Sequence, residues 1–184
     1  GKFAVRQRFV IEGSRAFGVA YLYANLLGNE AGRAIYDGDA LVAAGGAVVG
    51  RAPRFSFQRL ELARAVVDLD LGGVRQGGLS SYQPSVELER GARVSADFRF
   101  PEAAVESKAA SAPLWEGAAH EKEEELTRAL SLGLFDYMRK SRSHGFVVSL
   151  SGGADSALVA SAVSMMACLA FAELGREGLA ERLA

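Results

Sequence analysis

The clearest chemical signal in the sequence is a polar loop that lies between an apolar run and a helical pattern. It consists of Leu150, Ser151, Gly152, Gly153, Ala154, Asp155 and Ser156. A strand, a glycine loop and a helix in this order place the unpaired N–H groups of the helix start at the carboxyl edge of a parallel sheet, where anions bind. The glycines let the backbone approach a phosphate closely, and the serine hydroxyls are short donors. The pattern therefore predicts a phosphate-binding loop.

Asp155 is the residue of this loop that indicates a metal. A carboxylate beside phosphate oxygens is repulsive unless a cation lies between them, and Mg²⁺ binds a carboxylate together with substrate phosphates. We therefore predict that Asp155 is a magnesium ligand. The simpler alternative is that Ser151 or Asp155 only caps the helix and that the glycines only form the turn. The loop lacks the lysine of the G-x-x-x-x-G-K-[ST] phosphate loop.

The elements around the loop form a predicted second unit, residues 118–184. Acidic residues at one end and basic residues at the other predict a helix over 121–140, because they match the helix dipole. An apolar strand over 145–150 and a helix over 157–174 follow, with Gly175 as its stop. The predicted apolar stripes are Leu126, Leu130, Leu134 and Tyr137 on the first helix, and Leu158, Ala162, Met165, Leu169 and Ala172 on the second.

A first unit is predicted over residues 1–100, joined to the second by a connection at 101–117. Apolar residues at seven-residue spacing predict a helix over 2–16. The predicted elements that follow are a buried strand at 19–24, a turn at 25–32, a hairpin of 34–44 with 47–51, and strands at 62–71 and 93–100. A helix followed by several strands indicates a layered α/β domain. Trp115, in the connection, is predicted to dock one unit on the other.

Composition excludes several classes of protein. The 184 residues are 49% hydrophobic with a net charge of −1, which favours a folded core and gives no general attraction to nucleic acid or an anionic membrane. We expect no membrane span, because no apolar run reaches about 18 residues. One cysteine, Cys168, and two histidines, His120 and His144, form no disulfide or helical metal pair, and we predict a cytoplasmic location, with Cys168 buried. The two ends of the sequence predict an internal piece of a longer protein.

The loop and its flanks resemble a known family. The order S-G-G-x-D-S at 151–156 matches the loop of the ATP pyrophosphatase superfamily, whose members split ATP into AMP and pyrophosphate. Residues 132–141 and 145–153 resemble the opening of the synthetase domain of glutamine-dependent NAD(+) synthetases. Residues 21–28 and 36–41 resemble the late part of the nitrilase-like glutaminase domain of the same family. The resemblance covers nearly the whole chain.

This resemblance implies a fold and a reaction. The fold would be α/β: the C-terminal part of a nitrilase-like layered αββα domain, then the first strand–loop–helix unit of a Rossmann-like domain. In the family, glutamine is hydrolysed to give ammonia. ATP with Mg²⁺ activates nicotinic acid adenine dinucleotide, which reacts with the ammonia to give NAD⁺. By the resemblance, residues 150–156 hold the ATP pyrophosphate, Asp155 binds Mg²⁺, and Lys2 meets the glutamine carboxylate. A homo-oligomer is also implied.

The resemblance places the Glu-Lys-Cys triad of the glutaminase upstream of Gly1, so no catalytic residue is assigned here. We therefore expect the chain alone to be silent in both half-reactions. Two alternatives stay open. The chain could come from another ATP pyrophosphatase, although a thiolating member would need more cysteines than Cys168. It could also be a non-catalytic assembly module, which would ignore ATP.

Overall fold

The computed structural model describes residues 2–30, 32–78, 95–99 and 112–183. Over these residues the chain is mixed α/β. In chain order its elements are α1 (Lys2–Phe17), β1 (Tyr21–Ala24), β2 (Leu27–Glu30), β3 (Ala34–Asp37), β4 (Ala40–Ala44), β5 (Ala47–Arg51), α2 (Leu69–Gly77), α3 (Glu121–Ser141) and α4 (Ala154–Leu183).

The first part of the chain is built on a three-stranded antiparallel sheet in the order β1-β4-β5. Helix α1 packs on this sheet, and Val10, Leu41 and Ala43 form the buried core between them. The predicted hairpin turn is confirmed at Gly45 and Gly46, which have φ angles of 60° and 86°. Positive φ at both central residues gives the twist that a two-residue hairpin requires. The predicted first helix is confirmed as well.

Other predictions for this region are wrong in position or burial. Strand β1 lies at the sheet edge, and Leu22 is 73% exposed, so the strand is not buried. The predicted turn at 25–32 contains β2, which pairs with β3 in a separate two-stranded sheet. The predicted strand at 34–44 is interrupted between β3 and β4, because Gly38 takes a φ of 71° there.

The predicted strand at 62–71 is also absent. Residues 61–68 have no regular secondary structure, and α2 begins at Leu69. The segment passes so close to β5 that a Cβ at Gly50 would lie 2.5 Å from the Arg64 carbonyl oxygen. Close approach without a ladder of backbone hydrogen bonds does not make a strand. Of the predicted strand at 93–100, residues 95–99 have no regular structure and the rest lies outside the described residues, as does 101–111 of the connection.

Both predicted helices of the second unit form, but their most buried residues are not the ones predicted. On α3 the buried apolar residues are Leu132, Phe135 and Met138, whereas Leu126 is 60% exposed. The buried face of α3 is set by β2, β3 and α4, which pack against it. These elements are distant in sequence, so the apolar pattern of the helix alone does not indicate where they dock.

Helix α4 is longer than predicted and is interrupted. It begins at Ala154 rather than 157, and Gly175, with a φ of 66°, breaks it before the chain continues as helix to Leu183. The predicted stop at Gly175 is therefore confirmed as a break. The buried residues are Met166 and Ala170 rather than Leu158 and Met165; of the predicted stripe, Leu169 is partly buried and packs against the core.

The second core lies between α3, α4 and the segment after β5. It consists of Phe55, Phe57, Leu132, Phe135, Met138, Met166 and Ala170. The rings of Phe57 and Phe135 meet edge to face, with centroids 5.2 Å apart and planes at 89°, a favoured aromatic geometry. Residues of both predicted units therefore share one core.

Candidate functional site: the serine-glycine loop at the start of α4

The segment before the loop is extended but is not a strand. Residues 145–150 have no paired neighbour among the described residues, so the predicted strand is not observed. A strand requires a partner for its N–H and C=O groups. Val147 is fully exposed and Leu150 is 69% exposed, while Phe146 packs against the second core. The loop therefore projects from the core at the end of an exposed apolar segment.

The loop proper covers residues 151–153, and the remaining motif residues form the first turn of α4. The backbone N–H of Ser151 donates to Ser156 Oγ at 3.3 Å, and the two hydroxyl oxygens lie 3.2 Å apart. Ser156 Oγ also donates to the Gly153 carbonyl at 3.1 Å. Thus the structure brings both predicted serines together on one side of the helix start. These contacts belong to Ser156; among the described residues neither Ser151 nor Asp155 accepts from a backbone N–H of the first turn, as the simpler alternative required.

The two glycines leave the loop open to solvent. Gly152 has a φ of 82°, and a Cβ built there would meet nothing within 4 Å. A Cβ at Gly153 would meet only Ser151 Oγ, at 3.6 Å. The conformation of Gly152 therefore requires glycine, whereas Gly153 is not required by packing or by its φ. Open backbone beside two hydroxyls and a helix start fits a phosphate group.

Asp155 lies in the first turn of α4 and is exposed. No group of three or more acidic, histidine or cysteine side chains gathers around it in the part of the chain that the structure describes. A single carboxylate still fits Mg²⁺, which keeps several waters and binds one or two carboxylates together with substrate phosphates. The acidic start of α3 is partly engaged elsewhere: Glu124 pairs with Arg128 at 2.8 Å, and Glu125 pairs with Arg54 at 2.5 Å.

The remaining candidate residues lie apart from the loop. Lys2 is exposed at the first turn of α1, and α1 packs on β4, β1 and β5, whereas α4 packs on α3. Cys168 is exposed, so the prediction of a buried thiol is wrong. It lies two positions from both Met166 and Ala170, and such residues do not share a helix face. His144 is exposed.

A buried network of charged side chains joins the first unit to Glu116 of the connection and to α3. The sequence did not indicate this network. At its centre Arg54 has a fully buried side chain, 3.3 Å from Asp37 and 3.6 Å from Glu116 as well as beside Glu125. Its guanidinium lies 4.2 Å from the centre of the Phe3 ring. A buried charge is tolerated only when it is paired in this way.

Two aspartates of this network have opposite pKa shifts. Burial alone would raise the pKa of Asp37, but a hydrogen bond from Asn25 and the charges of Arg6 and Arg54 outweigh it and lower the pKa below its ordinary value. Burial and then the charge of Asp37 raise the pKa of Asp39, whose side chain is fully buried. Both aspartates lie among the arginines of this network: Arg6 contacts each of them, and Arg54 contacts Asp37.

Trp115 packs between the two units, as predicted. Its ring centroid is 6.2 Å from that of Phe55, and the guanidinium groups of Arg54 and Arg128 each lie 5.3 Å from the ring centre. Cation–π contacts of this kind are stronger when they are shielded from water. The connection thus contributes to the structure that holds the loop in place.

The hairpin of β2 and β3 docks on α3 through a second buried contact. The backbone N–H of Asn29 donates to Asp136 Oδ2 at 2.8 Å, and a Cβ at Gly28 would lie 2.7 Å from the same oxygen. Lys140 pairs with Asp136 at 2.7 Å, and its Nζ also donates to the Asn29 carbonyl. This contact fixes α3, on which α4 and its loop are mounted.

Together, these observations describe a mixed α/β chain that carries an open serine-glycine loop at a helix start. No family model matches the sequence. Individual proteins do: the chain is 36% identical over 174 residues to a glutamine-dependent NAD(+) synthetase of Oryza sativa subsp. indica, covering 90% of this chain and 22% of that protein. It is 34% identical over 155 residues to the enzyme of the same name from Mus musculus, covering 83% of this chain and 21% of the relative.

A solved structure agrees with these relatives. This chain is similar to the crystal structure of a glutamine-dependent NAD(+) synthetase from Cytophaga hutchinsonii, with a TM-score of 0.67 and 37% sequence identity. The match covers 100% of this chain and 23% of the chain in that structure. The chain is therefore similar to one segment of the glutamine-dependent NAD(+) synthetases, in agreement with the resemblance of its sequence. It spans about a fifth of the length of the relatives that it matches.

Proposed function

We propose that this chain supplies the ATP-binding loop of a glutamine-dependent NAD(+) synthetase. The reaction is the ATP-dependent amidation of nicotinic acid adenine dinucleotide with glutamine-derived ammonia, which releases AMP and pyrophosphate. The observation that supports it best is the similarity to enzymes of that name over about 90% of the chain. The open loop at the start of α4 is the part of the structure that suits ATP.

Each loop residue has a physical role in this proposal. Ser151, Gly152, Gly153 and Ser156 receive the pyrophosphate part of ATP through backbone N–H groups and hydroxyls at the positive end of the α4 dipole. Asp155 would hold Mg²⁺, which would supply positive charge beside the phosphate oxygens. Leu150 and Ala154 border the loop. Lys2, in the first unit, is proposed to contact the carboxylate of glutamine.

We further propose the finer architecture. Residues 1–100 correspond to the end of a nitrilase-like αββα domain, 101–117 to a linker, and 118–184 to the start of a Rossmann-like ATP pyrophosphatase domain. In the complete enzyme, a homo-oligomer of the cytoplasm, further elements of the synthetase domain cover the exposed apolar side chains of this region. These are Val147, Leu150, Leu158, Val159 and Phe171.

This covering also accounts for the apolar character of α4. By length and composition α4 could cross a membrane, contrary to our expectation that no run is long enough, and only 11% of its most apolar window is buried. Core helices of soluble proteins pass the same test. An α4 that lies between the sheet and further helices of the synthetase domain would have this composition without entering a membrane.

Calorimetric titration of the 184-residue chain with ATP tests the proposal. We expect binding that requires Mg²⁺, that Asp155→Asn weakens at least tenfold, and that Gly153→Val abolishes, because a branched side chain would fill the space the phosphate needs. Packing leaves room for that side chain, so the variant should keep the wild-type melting temperature. Glu177→Gln, an exposed carboxylate on the same helix, is the matched control. Equal ATP affinity in wild type and both loop variants would exclude the proposed site.

A further inference from the structure

A cleft lined by four arginines lies away from the loop, where the ends of α3 and α4 meet the segment after β5. Its volume is about 380 Å³, and its lining consists of Arg59, Arg139, Arg142, Glu181, Arg182 and Leu183. A smaller recess of about 120 Å³, also lined by Arg59, Arg139 and Arg182, adjoins it. The loop precedes the first turn of α4, whereas this cleft lies at the last turn of the same helix.

The positive charge of the cleft is only partly compensated. Arg139 pairs with Asp136, and Arg182 donates to the carbonyl oxygens of Phe57 and Gln58 at 3.0 Å and 3.2 Å. Arg59 and Arg142 are exposed, and their side chains make no hydrogen bond or ion pair with another described residue; the backbone N–H of Arg142 donates to the Arg139 carbonyl. Among the described residues, Glu181 lines the cleft and Asp136 lines the adjoining recess, so four guanidinium groups lie near two carboxylates.

Burial and the neighbouring arginine charges both lower the pKa of Arg182. Burial is the largest effect that lowers the pKa of Arg182, and the charges of Arg139 and Arg59 lower it further, against the opposing charges of Asp136 and Glu181. Basic residues at a helix C-terminus ordinarily serve only the helix dipole. Here arginines from three separate segments converge on one concave surface, which the dipole of either helix does not require.

We propose that this cleft binds a diphosphate anion. Arginine presents planar, paired N–H donors that match phosphate oxygens two at a time, and it is weakly enough hydrated to work in a partly buried site. A volume of about 380 Å³ lies within the range of small-molecule sites. The side chains of Arg59 and Arg142, which have no partner in the part of the chain that the structure describes, supply the free donors, and the hydrogen-bonded Arg182 forms a fixed wall.

The test is a calorimetric titration of inorganic pyrophosphate into the 184-residue chain in EDTA, where the Mg²⁺-dependent loop is not engaged. We expect one site, and at least a tenfold weaker affinity in the Arg59→Gln/Arg142→Gln variant. Both side chains are exposed and unpaired, so the variant should fold as the wild type does. Arg176→Gln, an exposed arginine on α4 outside the cleft, is the control and should bind as wild type.

Gly153→Val separates this inference from the proposed function. It should leave pyrophosphate binding in EDTA unchanged while it removes ATP binding in Mg²⁺. The inference is overturned if the wild type gives no saturable heat, if the double variant binds as tightly as the wild type, or if Arg176→Gln loses as much affinity as the double variant does. It is also overturned if Gly153→Val alone removes the binding seen in EDTA, because the loop would then be the site.

Discussion

The two faces of the second unit differ sharply in how completely they are packed. Where α3 meets the β2–β3 hairpin, buried apolar residues, a buried carboxylate and two closely fitted glycines make continuous contact: Gly28 lies against Asp136, and Gly133 lies against Ile35. Where the chain passes from residue 145 into α4, large apolar side chains are exposed instead, among them Val147 and Phe171. The close contacts of the first face fix how α3 packs on the hairpin. The second face leaves its apolar side chains exposed.

This difference bears on the proposed function, in which a loop for a charged ligand lies beside an apolar segment. The α3 face needs its contacts because α3 supports α4, and Met166 and Ala170 attach α4 to the same core. In the proposed function the loop at the start of α4 needs room instead, because a phosphate would have to reach its backbone N–H groups. Stability and the proposed ligand access would then depend on different parts of this helical pair.

The largest effect should come from removing an aromatic ring of the packed face. Phe135 is 1% exposed and meets Phe57 edge to face, so Phe135→Ala should lower the free energy of unfolding by about 3–5 kcal/mol, through lost burial and the cavity left behind. Phe171 is 56% exposed on α4, and Phe171→Ala should cost about 0.5 kcal/mol. Urea unfolding followed by the fluorescence of the single tryptophan, Trp115, measures both.

Comparable losses in the two phenylalanine variants would contradict the contrast between the faces. A large loss in Phe171→Ala would mean that the exposed side of α4 packs on another part of the folded chain. A small loss in Phe135→Ala would mean that the core between α3 and the segment after β5 does not contribute to the measured unfolding.

A smaller, pH-dependent effect should come from Asp136. Burial alone would raise its pKa, but hydrogen bonds from Lys140, Arg139 and the Asn29 N–H outweigh burial and hold the pKa below the ordinary 3.8. A depressed folded-state pKa stabilises the protein above the unfolded pKa, and that stability is lost as the pH falls through the folded pKa. Asp136→Asn should therefore cost roughly 1.5–3 kcal/mol at neutral pH.

Unfolding free energies measured between about pH 7 and pH 2 check this prediction. The difference between wild type and Asp136→Asn should stay constant above the ordinary aspartate pKa and shrink below it. Asp97→Asn, at an exposed position, serves as the control and should show a much smaller difference. A difference between wild type and Asp136→Asn that does not change with pH would show that the charge of Asp136 is not what the hairpin contact uses.

The sequence predicted elements whose signals are local. The helix α1, the Gly45-Gly46 turn and the charged ends of α3 depend on neighbouring residues, and all are confirmed. Strand β2 was missed because Gly28 and Asn29 are typical turn residues. They lie in a strand because Gly28, with a φ of 105°, admits the Asp136 carboxylate and Asn29 donates to it across 107 residues. No local pattern reports such a contact.

The candidate site divides in the same way. The motif at 151–156 predicted the loop and its serines, because their order along the chain fixes their geometry at the helix start. The Arg54 network was not predicted, since its acidic partners Asp37, Glu116 and Glu125 come from three distant segments. The most buried residues of α3 and α4 were misassigned for the same reason, because they are set by packing against other elements rather than by the local apolar pattern.

The smallest effect should come from Val147, on the open face. Its side chain is fully exposed, although an apolar run of this kind is typical of a strand buried on both sides. Val147→Thr replaces one methyl with a hydroxyl and keeps the β-branched shape, which in a buried site costs the desolvation of a hydroxyl without a partner. In the 184-residue chain the hydroxyl meets water, so the free energy of unfolding should change by less than about 0.5 kcal/mol.

Val10→Thr, at a position that is 1% exposed in the first core, makes the same chemical change in a packed site and should cost about 1–3 kcal/mol. If Val147→Thr instead costs as much as Val10→Thr, then residues 145–150 are covered in the folded chain, and the open face described here would have to be revised.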